Sequence, residues 1–167
     1  VGHLPFAADK VVADINIDIL ALSGPSRSVT SIGYGQSDMD DYLMAAAKEQ
    51  SRTVVPDDKP EKGFFFRSDH INFARVGIPA LYASSGMDLV DGGEAAGRKA
   101  ADDYTSNRYH KPSDNYDPNW DFRGAVQDMD LLLAIGRRLA NESTFPQWKA
   151  GADFARPAPA QSRTSAP

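Results

Sequence analysis

The sequence contains no cysteine, which excludes disulfides, thiolate zinc sites and thiol nucleophiles. Long hydrophobic runs are also missing, because the longest ones, such as residues 131–135, fall far short of the roughly 20 residues that cross a bilayer. Positive charge is not in excess, since 18 lysines and arginines face 23 aspartates and glutamates, giving a net charge of -5. A membrane span and a nucleic-acid partner are therefore not expected.

The length and composition fit one soluble globular domain. With 167 residues, of which 41% are hydrophobic, the chain is long enough for one core and short for two ordinary domains. Alanine, proline and serine dominate residues 155–167, so we expect a disordered tail after a domain at residues 1–154. The chain opens with Val1 and shows no signal segment, from which we expect an amino end that was processed or excised.

Periodic apolar residues predict an α/β domain in which helices flank a sheet. The alternation in residues 11–20 predicts a first strand whose apolar face consists of Ala13, Ile15, Ile17 and Ile19. Further strands are predicted at residues 29–34, 53–55 and 78–83, and helices at residues 38–50, 69–76, 94–102 and 122–139. The last helix, with Asp121 as its cap, has an apolar face made of Phe122, Ala125, Val126, Met129, Leu132, Leu133, Gly136 and Leu139.

Two polar residues are candidates for metal binding. Asp18 lies at the carboxyl end of the first predicted strand, which is where ligands bind in open α/β sheets. His110 lies in a long polar loop, where a neutral imidazole can donate a lone pair to a metal ion. Simpler roles stay open, since an aspartate there can cap a turn and a histidine in a surface loop is more often only solvated.

Residues 64–70 form a second candidate region. His70 falls in the first turn of a helix that Ser68 can cap, a poor place for an imidazolium, so we favour a packed or hydrogen-bonded histidine. The three phenylalanines at residues 64–66 could wall a substrate pocket, although core packing is their commoner fate. No serine-histidine-aspartate set or phosphate-binding glycine loop stands out, and neither a Glu-Glu pair nor a His-X-Asp triplet occurs.

Four stretches, taken in order, resemble the second half of the bacterial di-zinc aminopeptidases, the exopeptidase family related to glutamate carboxypeptidase, transferrin receptor and glutaminyl cyclase. They are Ala-Asp-Ile-Asn-Ile-Asp at residues 13–18, Phe-Phe-Arg-Ser-Asp-His-Ile-Asn-Phe at 65–73, Gly-Ile-Pro-Ala-Leu at 77–81 and Tyr-His-Lys-Pro-Ser-Asp at 109–114. The match spans residues 11–154 and includes the closing Pro-Gln-Trp at 146–148. The order and spacing of these motifs make the combination specific.

The resemblance implies a mixed sheet between helices, holding two zinc ions that share a bridging carboxylate and a water, with a glutamate as general base. By position, Asp18 matches the carboxylate ligand of one zinc and His110 the histidine ligand of the other. The implied reaction removes an amino-terminal residue from a peptide, and the implied location is secreted or periplasmic. Groups expected beside the substrate or behind the ligands are Phe65, Arg67, Ser68, Asp69, His70 and Tyr109.

The other ligands and the general base of this family lie upstream, in a His-X-Asp segment and a Glu-Glu pair that this sequence lacks. His3 does not replace them, because neither its spacing nor its neighbours match. A catalytic zinc normally needs three protein ligands, whereas here each zinc keeps one. We therefore predict that the isolated chain binds zinc weakly and hydrolyses nothing, and that it associates with the missing amino-terminal half or with itself.

Two other functions stay open. The transferrin receptor uses the same fold as a binding scaffold, so the chain could belong to a non-catalytic relative, although Asp18 and His110 argue against this. Glutaminyl cyclases use the fold and a single zinc for acyl transfer, so the number of metal ions in the whole protein separates that case from a peptidase.

Overall fold

The computed structural model describes residues 6–156, so His3 and most of the predicted tail lie outside the described residues. Strands and α-helices mix along the chain, as the sequence predicts. In chain order they are β1 (Asp14–Asn16), β2 (Ser28–Ile32), α1 (Met39–Glu49), β3 (Thr53–Pro56), α2 (His70–Ala74), β4 (Ala80–Ser85), α3 (Gly93–Asn107) and α4 (Arg123–Asn141). A 3-10 turn at Phe64–Phe66 precedes α2.

The four strands form one mixed sheet in the order β1-β4-β2-β3. β4 runs parallel to β1 and antiparallel to β2, and β2 runs parallel to β3. In the register of the first pair, Asn16 lies opposite Tyr82, so the carboxyl end of β1 is beside the middle of β4. With helices packed on the sheet, this confirms the predicted α/β fold class.

The main core lies between the sheet and helices α1 and α4. Its buried side chains come from Val29 and Leu81 in the sheet, Met39 and Leu43 in α1, and Leu131, Leu132, Ile135 and Leu139 in α4. A second cluster of Phe65, Ile71 and Ala74 lies under α2. This smaller cluster supports the segment that carries residues 65–70.

The first strand is shorter than predicted. β1 ends at Asn16, and Ile17 and Ile19 are 54% and 49% exposed, so the predicted continuation through residue 20 is wrong. The alternation of apolar and polar residues continues past the point where β1 leaves its pairing with β4. Asp18 therefore lies in the segment after the strand and outside the hydrogen-bonded ladder.

The last helix has Phe122 at its cap position, without a side-chain cap bond, so the prediction that Asp121 caps it is wrong, and only part of the predicted apolar face is buried. Oδ1 of Asp121 accepts a 3.0 Å hydrogen bond from the backbone N–H of Arg123, at the start of α4. The apolar face predicted for α4 differs from the face that the core covers. Leu131 and Ile135, which the predicted face left out, are each 1% exposed and belong to the core. Some residues predicted to face the core are instead 39–57% exposed, namely Phe122, Val126, Met129 and Leu133.

Candidate metal and substrate site

Asp18 lies two residues beyond β1, and hydrogen bonds hold one of its two carboxylate oxygens. Oδ2 of this carboxylate accepts a 2.8 Å hydrogen bond from Oγ of Ser68 and a 3.3 Å bond from the hydroxyl of Tyr82. Among the residues that the structure describes, none donates to Oδ1. Since Asp18 is exposed to solvent, this oxygen is available to a ligand.

Ser68 connects Asp18 to the end of β1. The amide nitrogen of Asn16 donates a 2.9 Å hydrogen bond to Oγ of Ser68, while the same hydroxyl donates to Asp18. The prediction that Ser68 caps the following helix is wrong, because Asp69 occupies the cap position of α2 and makes no side-chain cap bond. The serine hydroxyl is used for the contact with Asp18 instead.

His70 begins α2 and is completely buried, which confirms the packed interpretation. Its ring lies 4.7 Å from the ring of Phe65 and 5.0 Å from that of Tyr82, between centroids. Burial lowers the pKa of His70, so the imidazole is neutral. Neither ring nitrogen has a hydrogen-bond partner among the described residues.

The other residues predicted in this segment have different surroundings. Phe65 is buried and packs behind His70, so it supports the site from within the core. Arg67 is exposed, and its guanidinium lies 5.7 Å from the centre of the Phe64 ring. Asp69 is exposed, and its charge raises the pKa of both Asp14 and His70. Of these groups, none makes the direct contact with Asp18 that Ser68 makes.

Asp14, which the sequence analysis did not single out, carries a perturbed carboxyl group at the start of β1. Desolvation by burial, with a further contribution from the charge of Asp69, raises the pKa of Asp14 to about 6. Its Oδ2 is buried without a hydrogen-bond partner among the described residues. This carboxylate is therefore destabilised when ionised.

His110 lies in the loop after α3 in a strained backbone conformation. Its φ of 57° falls in the left-handed region, which non-glycine residues adopt at a cost of about 1 kcal/mol or more. The imidazole stacks on the ring of Tyr109, with 4.0 Å between centroids and 19° between planes. Tyr109 is itself 6.3 Å from the ring of Tyr104, whose hydroxyl donates to Asp114 in the same loop.

Tyr82 holds the first of the two predicted metal ligands. Its hydroxyl donates to Asp18, and burial followed by the charge of Asp18 raises the pKa of Tyr82 to about 12. The second predicted ligand, His110, stacks on Tyr109. Among the described residues, no hydrogen bond or ring contact joins Tyr109 or His110 to Tyr82 or Asp18.

The donors present fit zinc in chemistry but not in number. A carboxylate oxygen and an imidazole nitrogen are both ordinary zinc ligands, and a catalytic zinc uses three protein ligands. Within residues 6–156, no group of three or more histidine, cysteine, aspartate or glutamate side chains is arranged to hold a metal ion. Asp18 and His110 therefore fit zinc as part of a ligand set.

Two contributors to this region escaped the sequence analysis. Tyr82 stands in an apolar strand, where its ring suggests core packing, and Asn16 alternates with two aspartates that resemble it as surface residues. The sequence gives no local signal for their contact, since it depends on the register of β1 and β4, which places Asn16 at the end of β1 opposite Tyr82 in the middle of β4.

Comparison with known proteins gives one family. The model described as Peptidase family M28 matches residues 3–134, a span that contains Asp18, residues 65–70 and His110. No curated protein matches the chain, and no solved structure does. In the described part of the chain, none of the helices is both long and apolar enough to pass through a bilayer.

Proposed function

This chain belongs to peptidase family M28, a family of metallopeptidases, and from that premise we propose that it contributes to a zinc-dependent aminopeptidase. The substrate is a peptide with a free amino terminus, and the reaction is hydrolysis of the first peptide bond. Asp18 holds one of two zinc ions and His110 the other. On the same family basis, we propose that the enzyme is exported.

One observation supports the proposal, namely the pair of hydrogen bonds from Ser68 and Tyr82 that hold Oδ2 of the Asp18 carboxylate just beyond β1. His110 stacks on Tyr109 in the loop after α3. The proposal requires that these two ligand types, which are 92 positions apart in sequence at 18 and 110, converge on one metal centre. Strain in the backbone of His110 agrees with a functional position, because such strain clusters at ligand sites.

Each residue has a limited task in this proposal. Asp18 offers Oδ1 to a metal ion while Oδ2 stays bound to hydroxyl groups, and His110 offers a ring nitrogen. Exposed Phe64 and Phe66 are placed beside Ser68 in the chain and supply apolar surface for a substrate side chain. When bound, zinc ions supply Lewis-acid activation of the peptide carbonyl and of the attacking water.

The remaining ligands and the general base come, in this proposal, from an additional segment or chain. The surface beside β1 supports such a partner, because among the described residues β1 is an edge strand that pairs only with β4. An open groove of about 280 Å³ adjoins it, lined by Val12, Ala13, Ile15, Gly136, Leu139 and Ala140. Helix α4 also carries exposed apolar residues, such as Val126 and Leu133.

Zinc titration and peptidase assays test the proposal in two states. For the chain alone we expect weak zinc binding by calorimetry and no turnover of an aminoacyl anilide. When a segment with the His-X-Asp and Glu-Glu motifs is supplied, as a longer polypeptide or a second chain, we expect two tight zinc sites and turnover. In that assembly, Asp18→Asn and His110→Ala should each reduce turnover by at least about 100-fold.

A matched control is Glu49→Gln, which removes an exposed carboxylate on α1 and should leave turnover unchanged. Two tight zinc sites or turnover in the chain alone would overturn the proposal that its ligand set is partial. A single zinc in the assembly would instead favour acyl transfer of the glutaminyl-cyclase kind. Zinc-free assembly without turnover would favour a binding scaffold.

A further inference from the structure

We infer that Tyr82 and Ser68 are positioning residues that fix the Asp18 carboxylate with Oδ1 outward, and that Asn16 sets the direction of this arrangement. The inference rests on the proposed function for its consequence, because Asp18 must be a zinc ligand for its orientation to affect metal binding. The orientation itself rests only on contacts within this chain.

The hydrogen bonds can run in one direction only. An amide nitrogen only donates and an ionised carboxylate only accepts, whereas a hydroxyl does both. Because Asn16 donates to Oγ of Ser68, the serine uses that oxygen as an acceptor and directs its own hydrogen to Oδ2 of Asp18. Asn16 is only 9% exposed, so it is well placed to hold this direction against competition from water.

Tyr82 binds the same carboxylate oxygen from the sheet. It belongs to β4, whose backbone pairs with β1 at Asn16 and with β2 at Ile32, so strands on both sides hold its backbone in place. The ring is braced by His70, at 5.0 Å between centroids, and only 8% of the residue is exposed. A hydroxyl on such a rigid support restrains the carboxylate more than a mobile side chain could.

Both hydroxyls meet at Oδ2, which leaves Oδ1 of this exposed residue without a hydrogen-bond partner among the described residues. An exposed aspartate without such partners exchanges between rotamers, and a metal must then select the competent one at a cost in affinity. Hydrogen-bond partners of a ligating side chain typically change metal affinity by about 10–100-fold. We therefore expect each hydroxyl to contribute about tenfold to zinc affinity.

The test uses the full chain with zinc chloride and two independent measurements. Nuclear magnetic resonance titration gives the zinc Kd, and crystallography of the metal-free protein gives the conformation of Asp18. We expect Tyr82→Phe and Ser68→Ala each to raise Kd about tenfold, and the double variant to show Asp18 in more than one rotamer. Ser68→Thr, which retains the hydroxyl, should restore most of the affinity lost in Ser68→Ala.

Tyr34→Phe is the matched control, since it removes an exposed tyrosine hydroxyl whose hydrogen bond is to Met44 and not to Asp18. A single, unchanged rotamer of Asp18 in the double variant overturns the inference. Asp18→Asn with an unchanged zinc Kd overturns the proposed ligand role instead, and the rotamer result then still decides whether these residues position Asp18. Circular dichroism and thermal melts show whether each variant is folded.

Discussion

Arg52 and Asp128 form a buried ion pair between the segment that precedes β3 and helix α4. Nη1 of Arg52 lies 2.7 Å from Oδ1 of Asp128, and their side chains are only 1% and 18% exposed. Nη2 of Arg52 also donates a 2.8 Å hydrogen bond to the backbone carbonyl of Ser28 in β2. A single side chain thus ties the sheet to α4, across the main core.

Removing Arg52 should destabilise the protein strongly. Arg52→Ala leaves Asp128 as a buried charge without its partner, which typically costs about 3–5 kcal/mol in the free energy of unfolding. Arg98→Ala is the control, because its pair with Asp58 is about half exposed, at 51% and 48%, and solvent screening should make its loss much smaller. Urea unfolding of both variants measures the difference, and equal losses would contradict the burial argument.

Gly33 and Phe65 offer a test of the packing that supports His70. Gly33 has a φ of 85°, and a β-carbon added there would overlap the ring of Phe65. Gly33→Ala should therefore suffer both backbone strain and a steric clash, for a loss of about 2–4 kcal/mol.

Gly35→Ala separates these two effects. Gly35 has a similar φ of 91° but no atom within 4 Å of an added β-carbon, so only the strain of about 1 kcal/mol remains. Chemical unfolding should rank wild type above Gly35→Ala, and Gly35→Ala above Gly33→Ala. If the two variants lose the same stability, Phe65 does not pack on Gly33 as described.

The parts of the fold that the sequence predicts well are those in which local pattern and tertiary packing agree. For α1, the prediction at residues 38–50 corresponds to Met39–Glu49, and for β3 the prediction at 53–55 corresponds to Thr53–Pro56. For β1 the local pattern and the tertiary packing disagree, because the alternation of apolar and polar residues continues through Ile17 and Ile19 after the strand has ended. Alternation records which side chains could be buried, whereas the length of a strand depends on its neighbour in the sheet.

In the candidate site, too, local sequence pattern does not predict contacts between distant segments. Asp18 and His110 are candidates from their positions after a strand and in a polar loop, and the family resemblance assigns both as ligands because each stands in a segment with its own motif. Tyr82 has no such motif, and its contact with Asp18 exists only because β1 and β4 are adjacent in the sheet. Contacts that span 64 positions in sequence depend on topology, which local pattern does not specify.

The pKa of Asp14 predicts that its removal stabilises the protein at alkaline pH. Burial and the charge of Asp69 raise this pKa from 3.8 to about 6, so the folded state binds a proton that the unfolded state releases earlier. The stabilising contribution is complete below pH 3.8 and is lost as pH rises through about 6. Asp14→Asn should therefore gain about 1–2 kcal/mol at pH 8 and almost nothing near pH 4.

Urea unfolding of wild type and Asp14→Asn across this pH range checks the sign. Asp69→Asn should give a smaller gain at pH 8, because the charge of Asp69 is the lesser of the two causes. An Asp14→Asn variant that is less stable than wild type at pH 8 would show that the ionised carboxylate has a favourable partner.

His70 predicts a pH dependence of the opposite sense. Burial lowers its pKa below 6.5, so the unfolded state takes up a proton that the folded state excludes. Stability should be full above pH 6.5 and should fall as pH decreases below that value toward the folded-state pKa. His70→Gln removes this titration, so the difference in unfolding free energy between wild type and variant should shrink as pH is lowered from 8 to 5, and a constant difference would contradict the assignment.

His110 provides a variant pair that differs in stability but not in loss of function. Its φ of 57° strains any residue with a β-carbon, so His110→Gly should be more stable than His110→Ala by about 1 kcal/mol in urea unfolding. Both variants lose the imidazole and its stacking on Tyr109, so neither effect separates them. Both should also lose turnover to the same degree in the assembled enzyme, because the lost group is the same.

The two variants also test why His110 adopts a strained backbone conformation. If His110 is strained in order to present its ring, the glycine variant should relieve the strain and still be inactive, since relief of the backbone does not replace the ligand. Equal stability of the two variants would show that the left-handed conformation is absent in solution. Retained turnover in both would remove His110 from the metal site, even if the difference in stability were found.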